Sequence, residues 1–264
     1  MKTAIITGST KGIGRALAEA LLARGINVAI CSPDVDEAQS CAASMSTLRA
    51  RAIGFGCDVA SREQVNGLWR DASDALGPID ILVNNAGLAL TGEAVSTLDE
   101  TDFRRMLDIN LLGTLFGCQV AIEWMKERGG AIYNILGAGA DGMPVPRMAG
   151  YATSKAAVTF LTRSLAVELQ GGLILVGALS PGLVITEGFL REHARVAAAD
   201  RTAREKVVNI VGDHPATTGA WAARIIDTNA RNGRVFTWLT KAKIRRRAAE
   251  RPPREILPFY RDLL

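Results

Sequence analysis

Long hydrophobic runs are absent from this 264-residue chain, although 48% of its residues are apolar. No window reaches the roughly 18 consecutive apolar residues that a membrane-spanning helix needs, so the sequence predicts a soluble protein without a transmembrane segment. An apolar strand pattern begins at Thr3 and leaves no room for a signal peptide. A cytoplasmic location is therefore expected.

Cysteine is also scarce, and the four cysteines stand apart at positions 31, 41, 57 and 118. The Cys-x-x-Cys spacing typical of zinc and redox sites is missing. Buried thiols in a reducing compartment are favoured over disulfides, and no metal site is predicted.

The net charge of +4 has its source in one short segment, residues 241–264, which carry eight Lys or Arg and three Asp or Glu. We interpret this segment as a basic C-terminal extension of a main domain over residues 1–240. A solvated helix is favoured over a surface for an acidic partner or an anionic membrane. No nucleic-acid-binding motif accompanies it, so no nucleic-acid partner is predicted.

Short apolar runs alternate with longer amphipathic segments, as is typical of an α/β parallel sheet with helices on both faces. The seven predicted strands are Ala4–Thr7, Val28–Cys31, Ala52–Gly56, Ile79–Val83, Ala131–Leu136, Leu173–Leu179 and Val235–Trp238. The predicted helices lie near residues 12–24, 36–48, 61–76, 99–128, 149–170 and 214–230. Two segments are less regular, Gly137–Met148 and Ile185–Asp213, and a binding loop or lid is predicted there.

A glycine-rich turn follows the first predicted strand, with the sequence Thr7-Gly8-Ser9-Thr10-Lys11-Gly12-Ile13-Gly14. Glycines permit a tight turn and the close approach of a phosphate, which the N–H groups and dipole of the following helix attract. Its place between the first strand and its helix favours dinucleotide binding over a structural turn.

Tyr151 and Lys155 stand four residues apart in a predicted helix, so their side chains share one face. A neighbouring ammonium stabilises a phenolate, and the pair is expected to move a proton onto or off an oxygen. No serine or threonine lies between Tyr133 and Tyr151.

Six motifs in this order resemble the short-chain dehydrogenase/reductase family, and the resemblance covers nearly the whole chain. They are Thr7–Gly14, Asp58-Val59, Asn84-Asn85-Ala86-Gly87, Asn110, the Tyr151/Lys155 pair and Pro181-Gly182. The resemblance implies one Rossmann-type, doubly wound domain with a seven-stranded parallel sheet. It also implies an NAD(P)-dependent oxidoreductase that forms a homodimer or homotetramer through the helices near 99–128 and 149–170.

The resemblance further implies a role for each matching residue. Asp58 and Val59 would hold the adenine. The cofactor cleft would be lined by Asn85, Ala86 and Gly87, and the nicotinamide carboxamide would be held by Pro181, Gly182, Val184 and Thr186. Tyr151 would be the general acid in carbonyl reduction. Lys155 would lower its pKa and bind the nicotinamide ribose, and Asn110 would hold a water that links Lys155 to solvent.

NADP is favoured over NAD, because the second predicted strand ends Ile30-Cys31-Ser32-Pro33 without a carboxylate that would bind a ribose 2′-hydroxyl. Lys11 and Ser32 are predicted to face a 2′-phosphate instead. NAD stays open, since NADP-using relatives often carry an arginine where this chain has Pro33, and Lys11 has an alternative interpretation as a solvated lysine.

The spacing to Tyr151 puts the family's catalytic serine at Ala138. Losing one donor to the reacting oxygen commonly costs about 10²- to 10³-fold in rate. Backbone N–H groups at Gly137, Gly139 and Gly142 are candidate replacements, and Ala138→Ser is expected to speed the reduction of small carbonyls if the absent donor limits the rate. Asp141 is predicted to be a turn residue, and His193 and His214 solvated or capping residues.

A finer resemblance, to the chlorophyll b reductases, rests on Asn134-x-x-Gly137-Ala138-Gly139-Ala140-Asp141-Gly142 followed by Pro144-x-Pro146-Arg147. It implies reduction of a formyl group on a bulky tetrapyrrole, and it departs from the plant members at Leu136. Alcohol oxidation in the reverse direction, and a non-catalytic NAD(P)-binding regulator or scaffold, are the alternatives.

Overall fold

The computed structural model describes residues 1–45, 50–194, 198–250 and 252–263. Its main sheet has seven parallel strands in the order β3-β2-β1-β4-β5-β6-β9, which confirms the predicted Rossmann-type fold. These strands are β1 (Thr3–Ile6), β2 (Asn27–Ser32), β3 (Ala52–Gly56), β4 (Ile81–Asn84), β5 (Gly130–Ile135), β6 (Ile174–Ser180) and β9 (Arg234–Thr237). A separate two-stranded sheet pairs β7 (Leu183–Val184) with β8 (Gly212–Asp213).

Helices lie on both faces of the main sheet, and further helices pack beside it. In chain order the helices are α1 (Gly12–Leu22), α2 (Val35–Met45), α3 (Arg62–Leu76), α4 (Glu100–Leu107), α5 (Gly113–Met125), α6 (Ala149–Glu168), α7 (Glu187–Ala194), α8 (Ala198–Val211), α9 (Pro215–Thr228) and α10 (Lys241–Ala249). A π-helical turn, Asp108–Leu112, joins α4 to α5, and a 3₁₀ segment, Leu257–Leu263, ends the chain. Residues 46–48, predicted as the end of the second helix, lie outside the described residues.

The core forms because neighbouring residues of each central strand point to opposite faces of the sheet. Ile6 of β1 packs with Leu17 and Leu21 of α1 on one face. Ile5, one residue earlier, packs with Trp69 of α3 on the other. Parallel strands buried on both faces need continuous apolar runs, and these runs were the signal that located the strands.

The segment Ile185–Asp213 was predicted to be irregular, and this prediction was wrong. It forms α7 and α8, whose buried residues Leu190 and Val208 pack with Ile256, Leu257 and Tyr260 of the C-terminal tail. The sequence shows no apolar partner near these helices, because the residues they pack against lie about 50 to 70 positions further along the chain. Residues 195–197 lie outside the described residues.

A buried arginine adds a polar contact between the basic tail and the rest of the molecule. Arg247 donates to the buried Asp213 carboxylate (2.8 Å), and Arg254 lies 3.5 Å from the same carboxylate. Trp238 Nε1 also donates to Asp213 (2.7 Å). The interpretation as a solvated helix therefore fits the exposed Arg245 and not Arg247. Residues 251 and 264 of the tail lie outside the described part of the chain.

One continuous helical stretch, Glu100–Met125, is long and apolar enough to cross a membrane by length and composition alone. Core helices of globular proteins pass the same test. Cys118, Val120 and Met125 of this stretch pack against the central sheet.

Candidate active site

The turn between β1 and α1 has the backbone that a phosphate cradle needs. Gly8 and Gly12 have φ angles of +60° and +55°, a region that side chains disfavour. A Cβ on Gly14 would lie 2.5 Å from both Asn85 Nδ2 and Gly8 O, so only glycine fits there. Among the described residues, no side chain caps the start of α1 at Lys11, which leaves the first-turn N–H groups to face an anion.

The other residues of this turn hold it to its neighbours. The buried Ser9 donates to Ile6 O (2.6 Å) and accepts from Cys31 N (2.9 Å), tying the turn to β2. Thr10 is buried and Ile13 half-buried. The Ser9 hydroxyl therefore holds the turn against β2, whereas the glycines determine the backbone shape of the turn where a phosphate would approach.

Asn85, Ala86 and Gly87 line the cleft directly after β4. Asn85 donates from its side chain to the carbonyls of Thr7 (2.9 Å) and Gly8 (2.8 Å). A Cβ on Gly87 would lie 3.3 Å from Asn110 Oδ1 and 3.5 Å from Lys155 Nζ. The structure thus brings the predicted cofactor segment against two of the predicted catalytic residues.

Asn110 lies in the π-helical turn and is fully buried. Its amide donates to Leu88 O (2.9 Å) and to Ser154 Oγ (2.9 Å), and its oxygen accepts from Leu88 N (2.7 Å). Ser154 donates in turn to Tyr151 O (2.7 Å). Sequence reasoning missed Ser154, although its place beside Lys155 in the catalytic helix was a usable signal.

Lys155 is buried beneath this network and donates to Ile135 O (3.1 Å). Desolvation lowers the pKa of its ammonium to about 8, because burial disfavours the charged form. Its Nζ lies 5.9 Å from the centre of the Tyr151 ring. Asn110, Ser154 and Lys155 are called the catalytic floor below.

Tyr151 lies above the floor with part of its surface exposed. Burial around the hydroxyl, and secondly the negative charge of Glu192, raise the pKa of Tyr151 to about 12. The pKa shift is opposite to the lowering by Lys155 that was expected, because its causes, burial and Glu192, both raise the pKa. The phenol therefore stays protonated at neutral pH and has a proton to give.

Gly137 faces the Tyr151 hydroxyl. A Cβ at this position would lie 2.2 Å from Tyr151 Oη. Position 137 therefore has no room for a side chain beside the phenol, and the assignment of the family's serine position to Ala138 stays a prediction. Gly139 packs tightly on Ala152 of α6, and the N–H of Gly142 donates to Gly139 O (2.9 Å), so Gly142 is not a free donor.

Glu192 of α7 is a second ionisable group near the phenol, and sequence reasoning missed it. Its carboxylate accepts from Thr91 Oγ1 (3.0 Å) in the segment after β4. That segment also contacts the loop before α6, since Gly92 N donates to Arg147 O (2.8 Å). Thr91, Gly137 and Glu192 are called the rim below.

The remaining predicted cofactor residues lie on two sides of the cleft. Asp58 Oδ1 accepts from Ala60 N (3.0 Å), and the buried Val59 packs against Gly113. The segment after β6 contains Pro181, Gly182 and the buried Val184. Thr186, at the end of this segment, accepts a hydrogen bond from Phe189 N at the start of α7 (3.2 Å). Thr186 also lies next to Gly12, where an added Cβ would be 3.0 Å from the threonine methyl group.

Lys11 and Ser32 lie together but face a third residue. Glu37, in the first turn of α2, forms an ion pair with Lys11 and accepts from Ser32 Oγ (2.9 Å). This contact was not predicted, because Glu37 lies beyond the end of the strand, where a carboxylate that selects the cofactor is expected.

Asp141, His193 and His214 contact residues outside the predicted catalytic and cofactor-binding set. Asp141 accepts from Met143 N (3.1 Å) in a turn. His214 precedes α9 and shares a hydrogen bond with Tyr260 (2.8 Å). His193 is buried 3.6 Å from Glu205, and desolvation lowers its pKa. Within the described residues, no group of three or more His, Cys, Asp or Glu is placed to hold a metal ion.

Comparison with known proteins agrees with this geometry. The family described as short chain dehydrogenase matches residues 2–197. The chain is 40% identical over 193 residues to chlorophyll(ide) b reductase NOL of Oryza sativa subsp. japonica, covering 69% of this chain and 56% of that protein. It spans little more than half of the length of the chlorophyll(ide) b reductases of this type that it matches.

Two further relatives cover more of the chain. The 3beta-hydroxysteroid dehydrogenase 1 of Eggerthella lenta is 34% identical, over 84% of this chain and 86% of that protein. A solved 7 alpha-hydroxysteroid dehydrogenase, in complex with NADH and 7-oxo glycochenodeoxycholic acid, is 27% identical with a TM-score of 0.79. This match covers 90% of this chain and 92% of that structure.

Proposed function

Because the chain belongs to the short-chain dehydrogenase family, we propose that it is an oxidoreductase that reduces a carbonyl or formyl group to an alcohol. The observation that carries the proposal is the catalytic floor, where Lys155 and Asn110 lie against Gly87 of the cofactor cleft and below the phenol of Tyr151.

The residues present fit a nicotinamide dinucleotide. The glycine turn leaves its N–H groups open to a diphosphate, and Gly87 lets a ribose approach Lys155 without a side chain in the way. We further propose NADP as the cofactor, on the basis of Lys11 in the glycine turn and Ser32 at the end of β2. The carboxylate of Glu37, which contacts both residues, counts against NADP.

When bound, the cofactor supplies the hydride that reaches the carbonyl carbon. Tyr151 donates its phenolic proton to the carbonyl oxygen, since its raised pKa keeps it protonated. Lys155 then stabilises the phenolate with its ammonium. Asn110 holds Ser154 and Leu88 in place through its hydrogen bonds. Its oxygen has a second lone pair, which can accept a hydrogen bond from a water that returns a proton to the phenolate.

A backbone donor replaces the hydroxyl that this family usually supplies. Position 137 has no side chain to offer, and a Cβ there would collide with Tyr151. We assign the role to the N–H groups of Ala138 and Gly139, which follow directly along the chain. A backbone donor is fixed in place and has no rotamer to lose on binding.

A bulky substrate fits the surroundings of the phenol better than a small one. The exposed Met143 and Val145, in the loop between Gly137 and α6, offer an apolar surface for such a substrate. The similarity to the chlorophyll(ide) b reductases supports a formyl tetrapyrrole as the substrate.

Exposed apolar residues on the long helices support a homodimer or homotetramer. Trp124 on α5 and Phe160 and Val167 on α6 are 46%, 74% and 71% exposed, and such surfaces commonly mark interfaces. Light scattering in solution measures the assembly directly. The cytoplasmic location remains a proposal from the sequence.

The test is turnover on a panel of carbonyl compounds that includes small aldehydes, oxosteroids and formyl tetrapyrroles, each with NADPH and with NADH. Cofactor oxidation together with an identified alcohol product is the expected result. Tight cofactor binding without turnover on any compound would favour the non-catalytic regulator or scaffold.

A further inference from the structure

The groups predicted to receive a 2′-phosphate are both held by one carboxylate. One oxygen of Glu37 pairs with Lys11 Nζ, and its Oε2 accepts from Ser32 Oγ at 2.9 Å. The two donors come from different elements, the glycine turn and the end of β2. Glu37 therefore occupies the place where they converge.

The position of Glu37 is fixed by the start of α2. Asp34 Oδ1 accepts from the backbone N–H groups of Asp36 (3.0 Å) and Glu37 (3.1 Å), and Asp34 N donates to Ser32 Oγ (3.3 Å). A glutamate in the first helical turn is favoured by the helix dipole. Lys11 first, and then Ser32, lower the pKa of Glu37, so the group is a carboxylate at neutral pH.

We propose that Glu37 is a cofactor-selectivity residue, which acts against NADP by holding Lys11 and Ser32 and by placing its own charge beside a 2′-phosphate. This inference rests on the proposed nicotinamide-dependent function. NADP has to displace the carboxylate from both donors and then bind next to it. NAD carries only a neutral hydroxyl at the same position, so it meets no repulsion.

The size of the effect follows from the charges. A phosphate monoester carries about −1.5 to −2 charges at neutral pH. One neighbouring negative charge in a partly exposed site changes affinity by about tenfold or more. Glu37→Gln removes this charge, keeps the side-chain length and still accepts from Ser32.

The experiment measures equilibrium dissociation constants for NADPH and NADH by fluorescence titration, without a carbonyl substrate. In Glu37→Gln, the ratio of the NADPH constant to the NADH constant should fall about tenfold. Glu100→Gln is the matched control and should leave the ratio unchanged. Like Glu37, Glu100 lies in the first turn of a helix and forms an ion pair, but its partner is Arg104 rather than a residue of the glycine turn. Thermal unfolding checks that each variant is folded.

A second variant separates release of Lys11 from a general change in charge. In the Glu37→Gln background, Lys11→Ala should remove most of the gain in NADPH affinity. A gain that survives the loss of Lys11 contradicts the proposal, and so does an unchanged ratio in Glu37→Gln when both cofactors bind. If the wild-type chain binds neither cofactor, the proposed function itself fails, which is a different result.

Discussion

The catalytic floor and the rim both lie beside Tyr151, yet they are built differently. In the floor, Asn110 uses both amide hydrogens and its oxygen on Leu88 and the buried Ser154, and Lys155 is tied to the end of β5. In the rim, a single hydrogen bond joins Thr91 to Glu192, between a loop and a short helix. The residues of the proposed proton chemistry are thus held by several contacts, whereas Thr91 and Glu192 on the proposed substrate side are joined by one hydrogen bond.

Removing the floor's charge should have the largest effect. Lys155→Met keeps the length of the side chain but removes the ammonium and leaves the buried Ile135 carbonyl without its donor. We expect kcat/KM for carbonyl reduction to fall by about 10²-fold or more. Lys126→Met, at an exposed position after α5, is the control and should keep its activity. Equal losses in both variants would argue against a specific role for Lys155.

Filling the space beside the phenol should have the next largest effect. Gly137→Ala puts a methyl group 2.2 Å from the present position of Tyr151 Oη, so the phenol has to move. We expect kcat/KM to fall by roughly tenfold to 10²-fold, since small misplacements of reacting groups are costly. Steady-state kinetics with a small aldehyde measure it.

Ala138→Ser tests the same space with a hydroxyl from the adjacent position. A faster reduction of small carbonyls would show that residue 138 reaches the reacting oxygen after all. No gain, together with a loss in Gly137→Ala, supports a backbone donor and the assignment of residue 137 to the phenol.

Changing the rim charge should have the smallest effect. Glu192→Gln removes a negative charge that raises the pKa of Tyr151. Reduction needs the protonated phenol, so the rate falls as pH rises through this pKa, and the fall should begin at lower pH in the variant. At neutral pH we expect a change of less than about tenfold. Thr91→Val, which removes only the hydrogen bond, should leave the pH at which the rate falls unchanged. If that pH is unchanged or higher in Glu192→Gln, Glu192 does not raise the pKa of Tyr151.

The difference between floor and rim also explains what could be predicted from the sequence. The strands, the glycine turn and the Tyr151/Lys155 spacing are local patterns, and each lies where periodicity and motif order indicated. Asn110 belongs to the same class, although the predicted continuous helix over 99–128 is interrupted by the π turn that carries it.

The features that escaped prediction depend on contacts between distant residues. Helices α7 and α8 are stabilised by the C-terminal tail, which no local pattern reveals. Glu37 in α2 pairs with Lys11 before α1. The orientation of its side chain depends on where α2 begins, which no sequence motif indicates. The close approach of Gly137 to the Tyr151 hydroxyl also depends on how an irregular loop folds against α6, which residue spacing does not reveal.

Comparing Tyr151 with the buried Tyr133 separates proton donation by Tyr151 from the general effect of losing a hydroxyl. Tyr133 lies in the core with its hydroxyl accepting from Asn229 (3.0 Å), whereas Tyr151 lies above the floor. We expect Tyr151→Phe to bind the nicotinamide cofactor as wild type does and to lose about 10²-fold or more in carbonyl reduction, while Tyr133→Phe keeps most of its rate. Equal turnover in wild type and Tyr151→Phe on a carbonyl that the wild type reduces would contradict proton donation by this phenol.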